Sequence, residues 1–466
     1  AIQRIEIQSE QNQQYALVTR ETDEGSETLN LPLPALVTAA EKLNEGIWPD
    51  EHAIQAASEQ HERYQVLQAS DLPIDPAQLG QSGSPTWVTS VEPDKYTRAG
   101  HVISEDDPAR AVELLLAELS EQGLLTRPAA NNASAALSPE QSSSQSTPTT
   151  TPLDAYRAQT SSQLTPAAAQ PREPLSGKAV WVLAELSEHG VRRVTLELLG
   201  KGQELAKQLQ GELAAVLIGG SDVEKHATTL AAYGATKIYL ASDPALAQYT
   251  TDGYSAVLAQ AIQRYQPVVI LVGSTANGRD LAPRVAARLG LGLTGDCIDL
   301  GLDEQQRLVQ YKPAFGNQII SAILSRTSPA MATLRPGMLQ AAQPDAKRVC
   351  TIEHLPVEDI AAHIRTRIIS QQSEETGVEK LESAHIVIGV GMGVGEPANY
   401  TQVHRLAELL DAAIGATRNV ADQSWLPKHT QIGLTGRAVA PRLYFALGIR
   451  GAPEHIAGIR KAGYVV

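Results

Sequence analysis

Alternating apolar and polar residues at the start of the chain predict three strands, Ile2 to Ile7, Tyr15 to Thr19 and Glu27 to Leu31. A period of two marks a strand with one buried face. The next apolar run, Leu33-Pro34-Ala35-Leu36-Val37-Thr38, is broken by proline. Asp107-Pro108 then supplies a cap and a first-turn proline for a helix through about Glu121, with Ala111, Leu114, Leu115 and Leu119 on one face. From Pro128 to about Pro174 the periodicity vanishes. Ser, Thr, Pro, Gln and Ala dominate there, and Tyr156 is the one aromatic residue. Such a segment cannot bury enough apolar area to offset its chain entropy. As a flexible linker of about 45 residues it would span on the order of 40 Å.

After this segment, strands and helices alternate. Ala179 to Leu183 is a strand, Leu196 to Leu209 a helix, Leu213 to Ile218 a strand, and Lys237 to Leu240 another. Ala256 to Tyr265 is helical, and Val268 to Val272 is a buried strand ending in Gly273. Strand, helix, strand in this order predicts a doubly wound parallel sheet. Polar text from Gln371 to Glu379 marks a boundary, and Ile386-Val387-Ile388 opens a second, smaller α/β unit. The expected units are therefore an α/β fragment over 1–128, a linker over 129–175, a parallel-sheet domain over 176–375 and a smaller domain over 376–466.

Composition narrows the function classes. A chain of 466 residues holds roughly two to four domains. With only two Phe and three Met, its cores are built from Ala, Leu, Val and Ile. A net charge of −14 argues against a nucleic-acid or anionic-membrane surface. Cys297 and Cys350 form a distant pair without CxxC spacing, which suggests a reducing compartment. No apolar run reaches the roughly 18–20 residues of a membrane span. Both ends read as the edges of a fragment, with no signal peptide ahead of Ile2 and a strand beginning at Gly463-Tyr464-Val465-Val466.

Several motifs carry candidate chemistry. Gly273-Ser274-Thr275-Ala276-Asn277-Gly278-Arg279-Asp280 joins a strand to a helix from Leu281 to Leu289, a turn that could bind phosphate. An ordinary βα turn is the stronger reading, because no Walker Lys-Ser/Thr follows. Gly389-Val390-Gly391-Met392-Gly393-Val394-Gly395 has the spacing GxGxGxG rather than GxGxxG, and Pro397 follows where a helix should start. Cys350 and His354 stand four apart without a second cluster, GxSxG is absent, and no metal site is expected. The most informative stretch comes last. Gly415-Ala416-Thr417-Arg418, Gln431-Ile432-Gly433-Leu434-Thr435-Gly436 and Gly448-Ile449-Arg450-Gly451-Ala452-Pro453-Glu454-His455 are glycine-bearing turns that follow apolar runs. They deliver Arg418, Thr435 and His455 to the strand ends of one small α/β domain, where such sheets bind ligands. Donors and cations on rigid strand ends suit an electron-rich redox ring.

From about Ser176 to Val466 these residues resemble the alpha subunit of electron-transfer flavoproteins. The resemblance rests on Val194-Thr195-Leu196-Glu197-Leu198-Leu199-Gly200, the run from Asn277 to Gly290, Lys312-Pro313-Ala314-Phe315-Gly316-Asn317, Met331-Ala332-Thr333-Leu334-Arg335-Pro336-Gly337-Met338 and the three terminal motifs. It implies a structural doubly wound domain followed by a smaller, flavodoxin-like domain that binds FAD. It also implies that Arg418 lies against the flavin ring, Thr435 near N5, and His455 near the N1–C2=O edge. Met392, Thr417, Gln431, Ile432, Gly433, Leu434, Arg450, Gly451, Ala452, Pro453 and Glu454 would occupy the remaining contact positions. Cations and donors so placed would stabilise negative charge arriving on the ring and favour one-electron steps. No catalytic residue is implied.

Residues 1–125 resemble the C-terminal part of the same family's beta subunit, through Arg20-Glu21-Thr22-Asp23-Glu24-Gly25, Leu33 to Ala39, Leu43-Asn44-Glu45 and Val91-Glu92-Pro93. The chain thus resembles a beta–alpha fusion that lacks the first half of beta and the tail of alpha. AMP or a second FAD would belong to that missing half, supplied in cis or in trans. The implied partners are a flavin dehydrogenase as donor and a quinone-linked oxidoreductase as acceptor. The implied location is the bacterial cytoplasm, with the mitochondrial matrix as the alternative. Two other readings stay open: a bifurcating, NADH-oxidising form, and a flavin-free nucleotide-binding or assembly protein.

Four contact positions depart from the family pattern: Met392 stands for Arg, Leu434 for Gln, Arg450 for Ser, and Glu454 for Gln. The partner-recognition segment Ile47 to Ile54 also departs, with Glu51 in an apolar anchor's place and Gln55, Ala56, Ala57 and Ser58 where basic residues are expected.

Overall fold

The computed structural model describes residues 2–10, 13–22, 25–39, 43–44, 49–59, 66–93, 100–125, 178–315, 319–357, 359–373, 381 and 384–466. The expected linker over 129–175, the recognition residues Ile47 and Trp48, the motif residues Gly316 and Asn317, and the polar boundary from 374 to 379 lie outside them. Strands β1 (Ile2–Glu10), β2 (Gln13–Glu21), β3 (Gly25–Pro32) and β4 (Thr86–Pro93) come first. Next are β5 (Val180–Leu183), a short hairpin of β6 (Leu186–Ser187) and β7 (Gly190–Val191), β8 (Leu213–Gly219), β9 (Lys237–Ser242) and β10 (Val269–Gly273). They are followed by β11 (Leu293–Cys297), β12 (Asp299–Leu302), β13 (Leu308–Ala314), β14 (Ile319–Ser325), β15 (Ala330–Leu334), β16 (Thr351–His354) and β17 (Arg367–Ser373). The last are β18 (Ile386–Val390), β19 (Ala413–Ala416), β20 (Leu443–Leu447) and β21 (Tyr464–Val465).

The expected doubly wound sheet has seven parallel strands in the order β11-β15-β10-β5-β8-β9-β16. Its faces are legible in β5. Val180 and Val182 pack with Leu198 and Leu205 of the Arg193–Leu209 helix, and Trp181 and Leu183 with Val257 and Leu281 of the helices behind. Burial on both faces is why these strands read as unbroken apolar runs. Each wholly buried leucine contributes about 1.5–3 kcal/mol. Two helices begin five residues earlier than their apolar spacing suggests. The hydroxyls of Thr250 and Thr275 accept the Gly253 and Gly278 amides at 3.3 and 3.0 Å, so the helices run Thr251–Tyr265 and Ala276–Leu289.

Residues before 126 are distributed over three parts of the molecule. β3 pairs with β17, which completes the sheet β1-β2-β3-β17, and Arg20 reaches Asp280 at 3.1 Å. β4 adds to the antiparallel sheet β12-β13-β14, with Ala322 opposite Ser90. The Pro108–Glu121 helix starts as expected, the Asp107 carboxylate accepting the Ala109 amide at 3.0 Å. It packs against the C-terminal sheet β19-β18-β20-β21, all of whose strands are parallel. Leu119 and Leu115 enter the core of Ile386, Ile388, Val390 and Leu443. The Tyr464 hydroxyl donates to Glu118, and Arg442 donates to the Gly123 carbonyl at 3.2 Å. Leu114 corrects the sequence reading: it is 39% exposed, because the sheet meets the stripe of residues 115 and 119.

Candidate cofactor site at the carboxyl ends of the C-terminal sheet

In the C-terminal sheet the chain passes from β18 to β19 on one side, while β20 lies on the other. The strand order reverses at β18, which opens a crevice at the carboxyl ends of the strands. The loops after β18 and β20 meet there. The Gly391 amide donates to the Leu447 carbonyl at 2.9 Å, and the Gly393 amide to the Gly448 carbonyl at 3.0 Å. Met392 is 40% exposed on this rim, and Arg450 is exposed on the loop alongside.

A third loop, 431–437, is clasped across the same end of the sheet. The Ile432 amide donates to Ala416 at the end of β19 at 2.8 Å, and the Leu434 amide donates to the Glu454 carbonyl at 2.7 Å. Gly433 makes the close approach, with φ +144° and its Cβ position 2.8 Å from the Glu454 carbonyl oxygen. The clasp brings Gln431, Thr435 and His455 together, although the latter two are twenty residues apart in the chain. Gln431 is buried and its Nε2 donates to the Thr435 hydroxyl at 2.9 Å. Its Oε1 is buried with no partner among the described residues. An orphaned acceptor of this kind costs about 1–3 kcal/mol unless a ligand or water donates to it.

Arg418 opens the short helix after β19 and is half exposed. Its Nε donates to Asp422 at 3.2 Å, and Lys428 donates to the other oxygen of that carboxylate at 2.7 Å. Lys428 foremost, then Arg418, holds the Asp422 carboxyl below its usual range. His455 is enclosed. It is 5% exposed, with Nδ1 3.0 Å from the Ile432 carbonyl and Nε2 2.8 Å from the Tyr444 hydroxyl. Burial lowers its pKa. Sequence reasoning missed Tyr444 and Asp422. Tyr444 sits in an apolar strand and reads as core, whereas Asp422, four residues after Arg418 on a helix, was a legible pairing signal.

The other motifs fall to ordinary roles. Thr275 of the Gly273 turn donates to Glu185 at 2.6 Å, which sets a carboxylate where an anion would have to bind. Burial pushes the Cys297 thiol up to about 12, so it is inert. Cys350 adjoins a strand rather than a helix, and no group of three metal-ligating side chains occurs among the described residues. No helix of the described residues is long and apolar enough to cross a membrane. The groups at the C-terminal crevice fit a flat, polar, electron-rich ring: an orphaned acceptor for a ring N–H, two exposed arginines as donors, and an uncrowded glycine at 451.

Residues 180–360 match the model of the electron transfer flavoprotein domain, and residues 380–460 that of the electron transfer flavoprotein FAD-binding domain. Electron transfer flavoprotein subunit alpha of Thermoanaerobacterium thermosaccharolyticum is 38% identical over 290 residues, 62% of this chain and 88% of that one. Protein FixB of Clostridium saccharobutylicum is 35% identical over 291 residues, 62% of this chain and 86% of its own. Acryloyl-CoA reductase electron transfer subunit beta of Anaerotignum propionicum is 33% identical over 322 residues, 62% and 87% of the two chains.

Proposed function

This chain belongs to the electron transfer flavoprotein alpha-subunit family, and from that premise we propose that its C-terminal domain carries electrons singly from a flavin dehydrogenase to a quinone-linked acceptor. The family role is electron transfer, and the domain over 380–460 is one that binds FAD. When bound, FAD supplies the redox chemistry; the protein supplies orientation and electrostatics. The loops at 392, 417–418, 431–435 and 450–455 hold the cofactor in this reading. Arg418, steadied by Asp422, and Arg450 set a positive potential at the crevice, and Gln431 Oε1 accepts a hydrogen bond from the ligand. The observation that carries the assignment is the clasp of 431–437 between Ala416 and Glu454.

Residues before 126 act in this proposal as the closing portion of the family's beta chain, supported by the way they complete two sheets and pack a helix on the cofactor domain. A second nucleotide, AMP or FAD, would belong with the rest of such a beta half, and the cytoplasm is the proposed location. The test is the visible spectrum of the purified protein, before and after addition of FAD, with stepwise reduction by dithionite. Stoichiometric flavin reduced in one-electron steps is expected. A colourless protein that takes up no FAD would overturn the reading, and rapid reduction by NADH would replace it with a bifurcating one.

Arg450 is proposed to supply the positive charge that Met392 does not, since their loops are hydrogen-bonded to one another. Arg450→Ser is expected to lower the flavin midpoint potential by roughly 20–60 mV, the effect of one exposed charge on a one-electron couple. An unchanged potential in a redox titration would reject this role.

A further inference from the structure

We propose that Tyr444 is a positioning residue for His455, its buried hydroxyl capping Nε2 so that the imidazole stays neutral with its proton on Nδ1. The inference rests on the cofactor site proposed above and says which groups give that site its charge. The Ile432 carbonyl, 3.0 Å from Nδ1, can only accept, so Nδ1 carries a hydrogen. In the neutral ring Nε2 is then the acceptor, and the Tyr444 hydroxyl at 2.8 Å is its donor. A cationic ring would reverse that bond. The phenol proton would then need another acceptor, within a core of Val387, Ile432, Val439 and Ile459 where the hydroxyl has no second partner among the described residues.

The neighbouring strand is shaped to admit the hydroxyl. Gly389 lies on β18 beside β20, and a Cβ there would stand 1.8 Å from the Tyr444 oxygen. Any side chain at 389 would drive the hydroxyl off Nε2. Among the described residues, the ionisable groups around the imidazole offer it no counter-charge. Tyr444 is itself held protonated by burial, and Glu454, next to His455 in the chain, is exposed. Burial lowers the pKa of His455, and the Ile432 carbonyl offsets this only in part. A hydrogen bond to the neutral form acts in the same direction as burial. The positive charge of the crevice is therefore left to Arg418 and Arg450, with Lys428 beside Arg418 on Asp422.

The test is imidazole nitrogen NMR of protein labelled with ¹⁵N-histidine, from about pH 8 to about pH 5, with flavin content read from the visible spectrum. His455 is expected to show a protonated Nδ1 and a hydrogen-bonded Nε2, and not to titrate where exposed histidines do. In Tyr444→Phe, Nε2 should move to the position of an unbonded ring nitrogen, and protonation should begin at higher pH than in the parent. Incorporation of 3-fluorotyrosine, a stronger donor of the same shape, should move Nε2 the opposite way and serves if the Phe variant does not fold. A parent spectrum with the proton on Nε2, or an Nε2 resonance indifferent to both changes, would overturn the proposal. The spectra require no flavin, so a colourless protein with the expected tautomer would defeat the cofactor reading alone.

Discussion

Leu119→Ala is expected to destabilise the C-terminal domain by about 3–4 kcal/mol, the cost of emptying a leucine site that cannot collapse. Leu119 is wholly buried, yet it belongs to a helix nearly three hundred residues away in sequence from the strands it covers. Its neighbours there, Ile386, Ile388 and Leu443, come from the sheet of the FAD-binding domain. Polar ties hold the same helix through Tyr464 to Glu118 and through Arg442 to the Gly123 carbonyl, both at its C-terminal end. Loss of the leucine should therefore loosen the whole helix, and flavin release should precede global unfolding. Urea denaturation followed by flavin fluorescence and by circular dichroism would show the two transitions separating. Leu114→Ala is the control, because that side chain is 39% exposed and should cost less than about 1 kcal/mol. Equal effects of the two substitutions would mean that the helix does not pack as described.

Gly433→Ala should have the larger effect on binding. Its φ of +144° is a conformation that L side chains rarely adopt, and the added Cβ would lie 2.8 Å from the Glu454 carbonyl and 3.4 Å from the His455 Cα. Those backbone atoms form the other half of the clasp, so relief requires the 431–437 loop and the 452–455 loop to part. Strain and clash together cost about 2–4 kcal/mol. If that cost falls on the bound geometry, FAD affinity drops by on the order of a hundredfold or more. Gly451→Ala separates strain from crowding, since its φ is +76° but nothing lies within 4 Å of the new atom. It should cost only about 1 kcal/mol. Flavin titration of the two variants against the parent decides the matter, and equal affinities would remove the clasp from the site.

Local patterning marked the alternation of strands and helices from Val180 to Leu289, but not the strands between Leu293 and Ser373. Val180 to Leu183, Leu213 to Gly219 and Val269 to Gly273 are apolar throughout because both faces are covered, so their burial was written in a single run of residues. Asp107-Pro108 marked a helix start to the residue, because a cap acts within one turn. Glycines after apolar runs marked the loops that meet at the carboxyl ends of the C-terminal sheet, since a close backbone approach excludes other residues. Thr250 and Thr275 carried the same capping signal as Asp107, but it lay outside the apolar spacing that set the helix starts.

Only the tertiary structure decided what depends on a distant partner. β4 chose β14, β3 chose β17, and the Pro108–Glu121 helix chose the C-terminal sheet, across separations that no local period encodes. Which face of that helix is buried followed from its partner, which is why Leu114 is exposed. The character of the site residues was settled in the same way. Arg418 is steadied by a carboxylate shared with Lys428, and Gln431 is left with an acceptor to offer. His455, polar in the sequence, is enclosed beneath Tyr444 and Ile432. A residue's chemistry is set by its type, but its charge and hydrogen-bonding state are set by the dielectric and the partners that folding places around it.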